Sequence, residues 1–118
     1  MLRVRPRTTK ADRQTLVQSW YREQIRTALP PLLRHWERRL RVKVEHVYVR
    51  QMKTRWGSCN PEARTIRLNT ELATRPPEQL EYIVVHELVH LLEPTHNGRF
   101  HSLMDRYLGG EDLDVDYL

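Results

Sequence analysis

The sequence predicts an α+β fold: N-terminal helices, a small and mostly antiparallel sheet, a central apolar helix, and a C-terminal helix. Three observations predict it. Apolar residues recur at spacings of three and four between Val17 and Leu40. Apolar and polar residues alternate over 42–52 and again from Thr65 to Asn69. A strongly apolar run, LEYIVVHELVHLL, follows Pro76-Pro77-Glu78 and carries two histidines four positions apart. Spacings near 3.6 mark helix and a spacing of 2 marks strand.

Taken in order, Leu2 to Arg5 alternates and reads as a short leading strand that Pro6 ends. Thr9, with Asp12 three residues on, resembles a capping box and starts a helix. Val17, Tyr21, Ile25, Ala28, Leu32, Trp36 and Leu40 form its apolar stripe. Pro30 and Pro31 interrupt the stripe, which predicts a kink or two helices meeting there. VKVEHVYVRQM, residues 42–52, places β-branched residues on one face and reads as a strand. Lys53 to Cys59 is short and mixed, and Asn60-Pro61 marks a turn. Thr65 to Asn69 reads as the second strand. Proline fits a first helical turn and Glu78 suits its positive end, so a helix opens at Pro76-Pro77-Glu78. It must stop near Pro94. Its apolar character puts it at the centre of the core. Asn97 can cap a last helix, with Phe100, Leu103, Met104, Tyr107 and Leu108 on its apolar face and Gly109-Gly110 ending it. The tail EDLDVDYL is acidic and reads as partly frayed.

A chain of 118 residues is one domain's worth, so residues 1–118 read as a single domain. No apolar run reaches the roughly 18 residues that span a bilayer, so a membrane-spanning role is excluded. MLRVRPRTTK has charge but no apolar stretch, so it is no secretory signal. The single cysteine, Cys59, cannot form an internal disulfide and fits a reduced, cytoplasmic setting. Net charge is +5, unevenly spread. Residues 1–59 hold 15 Lys and Arg against 4 Asp and Glu, and residues 60–118 hold 5 against 11. A basic half can mark a nucleic-acid surface or an acidic partner. The alternative is a solvated arginine-rich helical face, salt-bridged to the acidic half, and no nucleic-acid motif accompanies the charge.

Residues 86–90 read His-Glu-Leu-Val-His. Positions i and i+4 share a helix face, so His86 and His90 can converge on one metal ion. Glu87 projects beside that ion and can deprotonate a water held there. With 6 His and 10 Glu in 118 residues, about 0.025 such motifs are expected by chance. A catalytic zinc takes three protein ligands and keeps an open position. His96 follows beyond the Pro94 break and is the preferred third ligand. Requiring it cuts the chance expectation to roughly one in 800. His101, Asp105 and Glu111 are the other candidates. If it is no ligand, His101 can line the cleft and stabilise an oxyanion, or simply face solvent. Tyr82 and Tyr107 can donate but sit where core aromatics would. His35 and His46 have no metal spacing and read as structural. Cys59 can reach the metal as an inhibitory thiolate, or fill space as a small hydrophobe.

The stretch RQMKTRWGSCNPEARTIRLNTELATRPPEQLEYIVVHELVHLLEPTHNGRF resembles the core of the YgjP-like metallopeptidase family. These are small zincins related to the SprT-like and WLM peptidase domains. WYREQIRTALPPLLRHWERRL resembles that family's upstream helices. Residues 52–59, MKTRWGSC, together with His86, His90 and His96 make the likeness specific. The resemblance implies a zincin-like fold with a sheet on the metal helix, one Zn2+ bound by His86, His90 and His96, and Glu87 as general base. Family members are commonly longer at the N-terminus, so the chain reads as a minimal or trimmed catalytic domain. The family pattern carries a bulky aromatic where this chain has His101.

Trp56, Gly57 and Ser58 are candidates for the substrate cleft. A strand edge beside a zinc site can bind an extended peptide by adding it to the sheet. Gly57 would let backbone approach, and Trp56 either floors the cleft or packs in the core. The expected function is a zinc metallopeptidase acting on peptide or protein substrates, as a monomer. Two enzymatic rivals stand beside it. One is a metal-dependent hydrolase of a non-peptide substrate such as a nucleotide, which Arg55 and Arg67 keep open. The other is a nucleic-acid-associated, SprT-like protease. A binding module with an inert zinc site is a third reading.

Overall fold

The computed structural model describes residues 9–109; the expected Leu2 to Arg5 strand, Gly110, Glu111 and the acidic tail lie outside them. Helix α1 runs Lys10–Leu40. The capping box at its start is complete. The Thr9 hydroxyl accepts from the Asp12 amide at 3.1 Å, and the Asp12 carboxylate accepts from the Thr9 amide at 3.2 Å. Pro30 and Pro31 do not divide it, so there is one N-terminal helix rather than two. An interior proline costs about 3 kcal/mol through its missing N–H and its clash one turn back. Buried Ile25 and Leu29 before the prolines, and Trp36 and Leu40 after them, hold both halves on one core. The Trp36 indole also donates to Glu81 at 2.8 Å, tying the second half to the central helix. Ala28 is exposed and Leu29 is buried in its place.

The sheet has the order β1–β3–β2, with β1 His46–Arg50, β2 Gly57–Asn60 and β3 Thr65–Asn69. It is mixed rather than mostly antiparallel. β2 and β3 form an antiparallel hairpin, and β1 lies parallel to β3. The hairpin turn is local: the Asn60 side chain accepts from the Ala63 amide, and Arg64 takes a left-handed φ of 58°. The parallel pair is not local, because β2 intervenes in the chain between its two members. β1 is also shorter than the alternating stretch 42–52. The amides of Val42 and Val44 are taken by Glu37, through its carbonyl and its carboxylate, so neither joins the ladder.

A 3-10 turn, Thr70–Thr74, leads to α2, Pro77–Leu92, and then α3, Gly98–Leu108. α2 is buried from Tyr82 through His90, as an all-round apolar helix must be. β3 faces it with Ile66 and Leu68, both fully buried. Asn97 caps α3 by accepting from the Phe100 amide at 3.0 Å, and Gly109 closes it at φ 71°. Phe100 and Met104 are the buried residues of α3.

Candidate metal centre

α2 brings His86 and His90 to one face, one turn apart. Pro94 ends the helix, and the loop before α3 returns His96 to the same place. One nitrogen from each ring lies within 4.8 Å of the others. His86 is buried, His90 is 9% exposed, and His96 is open to solvent. The centre therefore sits at the floor of a surface cleft.

Hydrogen bonding fixes which nitrogen each α2 histidine offers. His90 Nδ1 lies 3.2 Å from the Glu93 carbonyl oxygen, which can only accept. Nδ1 carries the proton and Nε2 keeps its lone pair. His86 Nδ1 likewise donates to Glu87 Oε2 at 3.1 Å. His86 Nε2 is then buried with no hydrogen-bond partner. Such an atom is costly unless a ligand satisfies it. His90 Nε2 and His96 Nε2 face one another at 3.0 Å. A tetrahedral ion with bonds of about 2.05 Å sets neighbouring nitrogens about 3.3 Å apart. The orphaned Nε2 and the converging pair fit a cation that takes imidazole nitrogen.

The surroundings favour neutral imidazoles. Burial lowers the pKa of His90, with His86 and His96 adding to the shift and Glu87 opposing it. Loss of water from its packed side lowers His96, and the neighbouring His86 and His101 lower it further. Phe100 walls all three rings, at centroid distances of 5.0 Å from His86, 4.6 Å from His90 and 4.8 Å from His96. The sequence showed Phe100 only as an apolar face residue; that it covers three ligand candidates depends on where α3 folds back.

The cleft holds about 300 Å3 and lies between α2 and the edge strand β2. Gly57, Ser58 and Cys59 line one side, and His86, Glu87, His90 and His96 the other. Arg55, Pro61 and Pro94 complete the rim. Gly57 is required by space. A Cβ there would lie 2.7 Å from Ile83 Cγ2 and 3.1 Å from the Arg67 carbonyl oxygen. The Cys59 thiol is pushed up to about 12, by burial first and then by the Glu87 charge, with Arg64 opposing. It is a protonated thiol at neutral pH.

Trp56 and His101 are not among the cleft-lining residues. Trp56 is half-buried against the core, with the Arg75 guanidinium 5.6 Å above its ring. His101 is exposed on α3 and meets Phe100 edge-on at 5.7 Å. Asp105 is exposed on α3, outside the cluster. Asn69, which no motif or spacing in the sequence singles out, fixes the approach to β2. Its side-chain amide donates to the carbonyls of Met52 at 3.0 Å and Arg55 at 2.8 Å. An asparagine closing an apolar strand is the only signal for it. A larger hollow of about 510 Å3 opens beside Lys10, Gln18 and Glu71, with no cluster of metal-ligating side chains among the described residues.

Residues 1–112 match the family described as "YgjP-like, metallopeptidase domain". The chain belongs to that family. It is a metallopeptidase domain, and the α+β fold agrees with a zincin-like peptidase. Among solved structures it is similar to the metallopeptidase zymogen abylysin of Pyrococcus abyssi. The TM-score is 0.62 at 27% identity, over 69% of this chain and 80% of that one. No curated protein matches it. Within this YgjP-like domain no described helix is long and apolar enough to cross a membrane.

Proposed function

We propose that this domain hydrolyses peptide bonds in peptide or protein substrates, using one zinc ion held by His86, His90 and His96. The observation that carries the reading is the convergence of three ring nitrogens within 4.8 Å, beside the buried Glu87 carboxylate and under an edge strand. When bound, the ion supplies a Lewis acid for the scissile carbonyl and lowers the pKa of a water toward about 7. Glu87 accepts a proton from the attacking water and delivers it to the departing amine nitrogen. One water is consumed, the C–N bond breaks, and a carboxylate and an amine are released. Gly57, Ser58 and Cys59 align the substrate as an added strand, because the outer side of β2 has no strand partner among the described residues. The whole chain acts as one catalytic domain, as a monomer. A cytoplasmic location belongs to the same proposal and rests on the lone cysteine.

Arg55 on the cleft rim favours a second reading, an anionic non-peptide substrate such as a nucleotide. The test is hydrolysis of a mixed peptide library by zinc-loaded wild type and Glu87→Gln. Cleavage by wild type, with a loss of about a hundredfold or more in the variant at unchanged zinc content, supports peptidase action. Turnover of phosphoesters with no peptide cleaved selects the second reading. Equal activity in both proteins contradicts the role of Glu87.

A further inference from the structure

A second surface lies on the side of the sheet away from α2. Strand alternation buries Ile66 and Leu68 and turns Arg67 outward. Tyr48 stands beside Arg67 in the parallel register of β1 and β3. Two guanidiniums lie over the Tyr48 ring, Arg50 at 5.4 Å and Arg67 at 5.7 Å from its centroid. His46 meets the same ring edge-on at 4.3 Å. From α1, Arg22 reaches the strand and donates from Nε to the Val49 carbonyl oxygen at 3.2 Å. With Arg26 one turn further on, it walls a shallow cavity of about 330 Å3 along β1.

Among the described residues, the acidic half of the chain does not neutralise the charge here. Among the described residues no carboxylate pairs with Arg22, Arg50 or Arg67. Arg26 has only Glu23 of its own helix, at 3.8 Å, with both side chains well exposed. Cations gathered around one ring repel each other, and a polyanion that binds them relieves the repulsion and releases its own counterions.

We propose that this face binds single-stranded nucleic acid. Arg22, Arg26 and Arg50 meet phosphates, and a base stacks on the Tyr48–Arg67 pair. The aromatic ring favours this ligand over an acidic peptide, which would use the cations but not the ring. Duplex bases are already stacked inside the helix and cannot use it. A five-residue strand is about 17 Å long, the span of a few nucleotides. The surface lies across the sheet from the metal cleft, so its binding is read without metal and without catalysis.

The test is fluorescence anisotropy of fluorescein-labelled dT20 with the full metal-free chain, at about 50 and about 200 mM salt. Micromolar binding that weakens with salt is expected. Arg50→Gln with Arg67→Gln should weaken it about tenfold or more and flatten the log–log salt slope by about 0.7 for each phosphate no longer neutralised. Tyr48→Leu should weaken it about fivefold or more at an unchanged slope. Arg50→Lys with Arg67→Lys keeps the charge, guards against a folding defect, and should lose affinity while keeping the slope. Absence of binding overturns the proposal. So does wild-type affinity in Tyr48→Leu, or equal competition by duplex DNA or by a poly-glutamate peptide.

Discussion

The Gly57 Cα lies so close to Glu87 that a Cβ built on it would stand 3.2 Å from the carboxylate oxygen Oε2. Strand β2 and helix α2 meet there without a side chain between them. The glycine therefore sets the width of the cleft at the residue proposed as general base.

Gly57→Ala tests this spacing. The added methyl also meets Ile83 Cγ2 at 2.7 Å, and Ile83 is a buried branched side chain with little room to move. Overpacking of this kind costs about 1–3 kcal/mol. The expected outcome is a lower Tm and a fall in kcat with zinc content unchanged, since all three histidines lie outside the clash. Wild-type Tm and kcat would show that β2 is not held against α2.

Asn69→Ala should loosen the same strand at its entry, just before Gly57. The side chain donates to two carbonyls and accepts from the Glu71 amide at 3.0 Å, and the residue is 5% exposed. Buried groups left unpaired cost about 1–3 kcal/mol each, so a loss of about 2–4 kcal/mol in urea unfolding is expected. KM should rise more than kcat falls, because the strand proposed to align the substrate is displaced and the histidines are not. A change below about 0.5 kcal/mol would contradict the pinning role.

How far these positions were legible in the sequence follows from which forces are local. α2, α3 and their ends were legible because caps, prolines and apolar spacing act within a few residues. The i, i+4 pair His86 and His90 is a property of one helix, and Pro94 announced the return to His96. β2 was not legible as a strand. Gly57-Ser58-Cys59-Asn60 has no apolar alternation, and only its pairing with β3 makes it extended. The parallel placement of β1 is likewise a long-range choice. Pro30 and Pro31 misled because their local cost is real and tertiary burial on either side outweighs it. Asn69 and Phe100 carry no spacing signal; their roles exist only once distant segments meet.

Acid should release the metal and destabilise the metal-free protein. His90 and His96 are both lowered from 6.5 in the fold, by burial first. Unfolded histidines hold more protons than folded ones between those lowered values and about 6.5. The stability contribution is therefore complete above about 6.5 and is lost as pH falls through the folded values. Protons also compete for the nitrogens proposed to hold the ion, so affinity falls in the same direction. Chelator competition and urea unfolding between about pH 5 and pH 8 measure both. Metal affinity that rises toward acid, or metal-free stability that rises there, would contradict the assignment.

The most direct measurement is metal content with stoichiometry on wild type and His96→Ala. His96 is exposed, so its removal leaves the core intact and reports on ligation alone. One zinc per chain is expected in wild type, with zinc lost or greatly weakened in the variant. Equal zinc in both proteins, or no metal in wild type after zinc is supplied, would contradict the three-histidine centre.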